Sequence, residues 1–248
     1  MNSTLLKTET FDIGGHTFRA RLHPDQDAPS PRERATFGIL CLPQMEHIED
    51  GGAPDVDSAD EFWRALGQYA AGRKYHAHKR EIEEEIERRH TEALSHAGGP
   101  DWEKTRGLQE EKEERIQEVA RDLALIEYII SAVYKHEHSS VQLSLNPHGS
   151  KWDSGQVGWI YARRSVASER LFAEDRDPTE EEIREKVLRT FENELDVLTT
   201  WMNGEVVGFR LFGPGGEEVG ACWGFYDWTY ALDEARKHAE LAAEKRLS

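Results

Sequence analysis

Positions 8–13 and 16–22 flank Gly14-Gly15, and polar and apolar residues alternate over 10–13 and over 17–22. This period of two predicts a β-hairpin, because a two-residue turn with positive φ at both positions suits glycine. A loop stiffened by Pro24, Pro29 and Pro31 follows, then an apolar run over 35–42 that predicts a strand. From residue 58 the period lengthens. Ser58 with Glu61 three residues on predicts a capped helix, with Phe62, Leu66 and Tyr69 or Ala70 as its apolar stripe and Gly72 as its end. Residues 76–97 predict a highly charged helix with apolar positions only at Ile82, Ile86, Ala93 and Leu94. Gly98-Gly99-Pro100-Asp101 interrupts it, and Ile116, Val119, Ala120, Leu123, Ile126, Ile130 and Val133 predict a second helix over 102–134. At about 1.5 Å per residue that helix would run roughly 50 Å. The pair therefore reads as an antiparallel helical hairpin whose tip, near residues 98–106, projects into solvent.

Beyond it, residues 139–145 predict a strand and Asn146-Pro147-His148-Gly149 a turn. The stretch Lys151-Trp152-Asp153-Ser154-Gly155-Gln156-Val157-Gly158-Trp159-Ile160-Tyr161-Ala162-Arg163 reads as a tight turn feeding a strand covered on both faces. A short helix over 165–172 precedes Asp177-Pro178-Thr179-Glu180, which suggests a helix start with Asp177 at the N-cap. Ile183, Val187, Phe191, Leu195 and Leu198 form the apolar stripe of that helix. Residues 206–212 and 219–225 predict a second hairpin around Gly213-Pro214-Gly215-Gly216, and an alanine-rich helix over 230–247 follows. The predicted fold is α+β: an antiparallel sheet of about five to seven strands, helices on one face and an inserted long helical hairpin. Residues 1–57 and 139–248 would form the core domain and residues 58–138 the helical insertion.

Charge narrows the function more than length does. The 248 residues carry a formal net charge of −17, and the excess is spread evenly. Residues 1–57 hold 5 basic and 10 acidic side chains, residues 58–138 hold 13 and 18, and residues 139–248 hold 13 and 20. No segment offers the positive face that phosphate binding by counterion release requires, so direct binding of nucleic acid or an anionic membrane is disfavoured. No apolar run approaches the roughly 18 to 20 residues of a membrane span. Cys41 and Cys222 read as two buried thiols rather than a disulfide.

Candidate chemistry is sparse. His148, Asp153 and Ser154 could be recruited as a hydrolase triad, but sequence neighbours rarely reach triad geometry and Trp152 stands where a nucleophile elbow needs glycine. His76 with His78, or His136 with His138, could contribute to a metal site only in extended or frayed backbone, since i and i+2 diverge on a helix. No phosphate loop precedes a helix, so the expectation is no cofactor and no metal. The strongest surface signal lies over 174–196, where ten carboxylates stand against Arg176, Arg184, Lys186 and Arg189. Glu174, Asp175, Glu180, Glu181, Glu182, Glu185, Glu192, Glu194 and Asp196 are its candidate partner-binding residues. Tyr226 and Trp228, just past the last strand, join them because aromatic side chains anchor interfaces.

Pro24-Asp25, Ser30-Pro31-Arg32-Glu33, Gly38 before Cys41, the Trp152–Tyr161 motif and Cys222-Trp223-Gly224-Phe225-Tyr226 together resemble a family of uncharacterised proteins encoded by bacteriophages and other mobile elements. The resemblance covers residues 20–50 and 140–226 and leaves out the helical middle. It implies a context, the cytoplasm of a bacterial host, and no catalytic residue. Acidity and that context lead to one expectation: a non-enzymatic protein that inhibits a host defence or nucleic-acid-binding complex, of anti-CRISPR or anti-restriction type. Its acidic surface would occupy the basic surface of a host protein or ribonucleoprotein. Two alternatives stand beside it. One is a small hydrolase or nucleotide-modifying enzyme with its site near residues 148–156, and the other is a homodimeric scaffold joined through the helical arm.

Overall fold

The computed structural model describes residues 5–33, 36–43, 45, 53–96, 102–147, 154–172 and 177–247. Its strands form two antiparallel four-stranded sheets in place of the single sheet expected from the sequence. The first hairpin is as the alternation predicts: β1 (Lys7–Ile13) pairs with β2 (His16–Pro24), and Gly14 and Gly15 take φ of 59° and 78°. A 3₁₀ turn (Pro31–Glu33) leads to β3 (Ile39–Cys41), shorter than the apolar run suggests because Phe37 and Gly38 bend. Helix α1 (Ala59–His96) and helix α2 (Trp102–Glu127) form the arm. Then come β4 (Tyr128–Glu137), β5 (Val141–Ser144), β6 (Ser154–Arg163), α3 (Arg164–Leu171) and α4 (Glu180–Met202). The chain closes with β7 (Val207–Phe212), β8 (Glu218–Phe225) and α5 (Trp228–Leu247).

The first sheet has the order β1-β2-β7-β8. Phe18, Ala20, Leu22, Phe209 and Leu211 alternate inward and pack under α5 through Ala231, Ala235, Ala239 and Ala243. Four alanines on one helical stripe let the helix lie close to the sheet, so large side chains come almost wholly from the strands. The second sheet has the order β3-β6-β4-β5 and is covered on both faces. Leu40, Ile129, Val133, Leu143, Ile160 and Ala162 face α4, against Val187, Phe191, Leu195 and Leu198. Cys41, Tyr128, Trp159 and Tyr161 face the base of the arm, where Phe62 stacks on Trp159 with ring centroids 4.2 Å apart. That two-sided burial explains why Gly158 through Ala162 read as a continuous apolar run.

Two helix boundaries differ from the sequence-based expectation. The second arm helix was expected to continue to residue 134, yet it ends at Glu127 and Tyr128–Glu137 is a strand of the second sheet. Ile126, Ile130 and Val133 fit a helical spacing by coincidence. Tyr128 and Ile130 face the arm while Ile129 and Val133 face α4, and a short apolar run buried on both sides gives no period to separate helix from strand. Ile126 itself is exposed. The start of α4 also shifts. Thr179, not Asp177, is the N-cap: its hydroxyl accepts from the Glu182 N–H while the Glu182 carboxylate accepts from the Thr179 N–H.

The arm holds together by close approach at its base and charge farther out. Helical geometry breaks at Ala71 and Gly72, so the stop expected at Gly72 appears as a kink inside α1. Beyond the kink, Tyr75, Ile82 and Ile86 pack against Ile116 and Ala120 of α2. Flanking them, Arg115 donates to Glu85 at 2.9 Å, Arg89 to Glu111, and Arg64 to Glu113 at 2.6 Å. Gly67 fixes the spacing, since a Cβ there would lie 2.5 Å from the carbonyl oxygen of Ala120. Gly67→Ala must push the helices apart, and overpacking of this kind costs about 1–3 kcal/mol. A lowered urea midpoint with an unchanged slope is the expected result; an unchanged midpoint would show that the helices are not in contact there.

Candidate functional site

Helix α4 divides its polar residues by direction. Glu181, Glu185, Glu192 and Asp196 are exposed, and at 100° per residue they fall within an arc of about 60°. From Glu181 to Asp196 the row rises through fifteen residue steps, about 22 Å. None of the four makes an ion pair or hydrogen bond among the described residues. The other predicted carboxylates of this helix are occupied. Glu180 pairs with Arg164 at 2.5 Å, and Glu182 is engaged in the cap. Glu174 and Asp175 lie outside the described residues.

Glu194 turns inward. Its carboxylate accepts from Arg32 Nη1 at 3.2 Å, from the Phe37 N–H at 2.6 Å and from the Gly38 N–H at 3.1 Å. Arg32 closes the ring by donating from Nη2 to the Gly38 carbonyl at 2.7 Å. Both side chains are largely removed from solvent, at 5% exposure for Arg32 and 17% for Glu194. Gly38 must be glycine in this arrangement, because a Cβ would meet Ile160 and Phe191 at 2.8 Å. One carboxylate of α4 thus fastens the loop between the two sheets. Nothing in the local pattern separates Glu194 from its exposed neighbours; the signal lies in Arg32 and Gly38, far away in sequence.

This ring forms one wall of a cleft of about 330 Å³ bounded by Thr190, Asn193 and Val197 of α4, the Arg32 loop and Tyr226. At 100° per residue Asn193 stands about 60° beyond Asp196, with the exposed Arg189 between the cleft and the acidic row. Tyr226 also borders a neighbouring cleft of about 440 Å³ that reaches Thr200, Val206 and Trp228. The Tyr226 hydroxyl donates to the Pro29 carbonyl at 3.4 Å, and Lys7 Nζ sits 4.4 Å above the half-exposed Trp228 ring. The sequence-predicted aromatic pair therefore belongs to the same side of the molecule as α4. The contact between Trp201 Nε1 and the Ala28 carbonyl, 2.9 Å, further ties the proline loop to the helix.

The hydrolase candidates do not assemble among the described residues. His148 and Asp153 lie outside them. Ser154 opens β6 directly across from His136 of β4, yet its Oγ is buried without a hydrogen-bond partner among the described residues. His76 and His78 are exposed on α1, with His78 Nδ1 3.5 Å from Glu81, and no group of three His, Cys, Asp or Glu suited to a metal occurs among the described residues. Cys41 is buried and Cys222 half-buried, both as free thiols. Among the described residues no helix is long and apolar enough to cross a membrane.

Ion pairing across the arm shifts the titration of two of its carboxylates. Hydrogen bonding to Arg115 holds the Glu85 carboxyl below its ordinary range, and Arg89 does the same for Glu111. Compared with family models, curated proteins and solved structures, the chain matches none.

Two predictions follow from this geometry. A carboxylate depressed in the folded state contributes stability that is present above its unfolded value and lost as pH falls through the folded one. Amide hydrogen exchange along α1 and α2 should therefore accelerate as pH drops below the ordinary carboxylate range, after correction for intrinsic rates. A Glu85→Gln, Glu111→Gln variant should lose that pH dependence, and its retention would contradict the assignment. Ser154→Ala removes a hydroxyl buried without a partner, so it should be neutral or stabilising by about 1 kcal/mol. Measurable destabilisation would show that Oγ has a role the geometry does not give it.

Proposed function

We propose that this chain is a non-enzymatic interaction protein that binds a basic partner surface along α4. The observation that carries the reading is the row Glu181, Glu185, Glu192 and Asp196, exposed and without an ion pair among the described residues, on the helix that also lines the cleft at Asn193 and Tyr226. Unpaired carboxylates keep their attraction for an incoming cation, whereas Glu85 and Glu111 of the arm are engaged by Arg115 and Arg89. The adjoining cleft supplies what charge alone lacks, a concave surface with an aromatic wall where a side chain can be desolvated.

Magnitude sets the kind of partner. A DNA duplex presents a charge about every 1.7 Å, so about 22 Å of it carries roughly thirteen. Four carboxylates over the same length are far fewer, which favours docking of a basic segment over replacement of a whole duplex. The resemblance to proteins of bacteriophages and mobile elements suggests where such a segment would be found: on a nucleic-acid-binding or defence complex of the bacterial host, which the bound protein would inhibit.

An arginine-rich peptide of about a dozen residues is the first probe. Its affinity should fall steeply between about 50 and 200 mM salt, because contacts between exposed charges are screened beyond a Debye length of about 10 Å at 0.1 M. Glu185→Lys with Glu192→Lys should weaken it by at least tenfold, while reversal of Glu103 and Glu110 on the arm should leave it unchanged. Equal loss from both pairs would reduce the effect to net charge, and binding that ignores the α4 reversals would overturn the reading.

A further inference from the structure

A third cavity has the opposite electrostatic character. It measures about 480 Å³ and lies where the end of β6, α3, the loop before β3 and the base of α1 meet. Tyr69, Tyr128, Tyr161 and Phe37 supply ring surface, and Arg163 and Arg170 supply two guanidinium groups. Among the described residues no carboxylate lines it, in a chain with 48 acidic residues. The charge of Glu127 acts on Arg163, and Glu127 stands outside the lining.

The two arginines are held by rings rather than by acids. Arg163 lies 5.6 Å from the Tyr128 ring centre and donates from Nε to the Tyr128 hydroxyl at 3.3 Å. Arg170 lies 5.9 Å from the centre of the Phe37 ring. Neither has a carboxylate within 4.0 Å among the described residues. Stacking of this kind leaves the terminal guanidinium N–H groups, which are fixed in a planar fork, available to a bidentate oxyanion. The floor is rigid: Tyr128 and Tyr161 are nearly buried and meet edge to face at 5.6 Å. Tyr69, by contrast, is mostly exposed, just before the α1 kink.

We propose that this cavity binds a nucleoside monophosphate, its base against the exposed Tyr69 ring and its phosphate between Arg163 and Arg170. The volume falls within the roughly 300–1,000 Å³ of small-molecule sites. Base–aromatic stacking tolerates any base, so the phosphate and one planar ring are the recognised features. The same chemistry is presented by a free nucleotide and by the 5′-phosphorylated end of a single strand. Binding here does not depend on the acidic row of α4.

The test is calorimetric titration of the full chain with AMP, with adenosine and inorganic phosphate as controls. AMP should bind, and each control should bind at least about tenfold more weakly, because loss of a charged hydrogen bond is worth about that factor or more. R163Q and R170Q should each weaken AMP by a similar factor. Both residues are exposed, so the variants should keep the wild-type unfolding midpoint. A 5′-phosphorylated dinucleotide separates the two sources: tighter binding than AMP indicates a strand end, and exclusion indicates a free nucleotide, and both support the ring-and-phosphate chemistry. Absence of AMP binding at millimolar concentration, or unchanged binding by the folded double variant, would overturn it.

Discussion

The ring formed by Glu194, Arg32, Phe37 and Gly38 is the constraint on which the binding regions depend. Three donors converge on one carboxylate, and the Arg32 guanidinium returns to the Gly38 carbonyl. A buried ion pair is weak evidence for stability in itself, because desolvation offsets most of its attraction. Its value here lies in position. The loop it pins to α4 lines the cleft beside the acidic row and, through Thr36 and Phe37, also walls the arginine cavity. Two surfaces of opposite charge character therefore share one partition.

Helix α4 shows how one amphipathic element serves several ends. Its apolar stripe forms the centre of the second core, its first turn is satisfied by the Thr179–Glu182 box, Glu194 reaches inward, and the remaining acids face water. The arm uses the same residue types differently. Glu85, Glu111 and Glu113 meet arginines across the two helices, which fixes the hairpin and removes those three charges from what a partner would meet.

Much of this architecture was legible in the sequence, and the failures have physical causes. Both glycine-centred hairpins, the Ser58 helix start and the inward stripe of α4 rest on local rules, and they are found where those rules put them. The division into two sheets is not local, since it depends on β2 pairing with β7 and on β4 lying beside β6. Tyr128 to Val133 misled because burial on both faces erases the period that distinguishes strand from helix. The acidic character of 174–196 was plain, but which carboxylates are free was not. Glu180, Glu182 and Glu194 are occupied by Arg164, Thr179 and Arg32, and only folding reveals the first and last of those partners. The Arg163–Arg170 cavity was invisible for a related reason: its rings come from four separate elements.

The most direct measurement is a double-mutant cycle on Arg32→Met and Glu194→Gln, read by denaturant unfolding. If the ring is the joint described here, the two substitutions couple, with an interaction energy of about 1–3 kcal/mol. Additivity within about 0.3 kcal/mol would mean that the two side chains do not act together, and that the loop is held against α4 by something else.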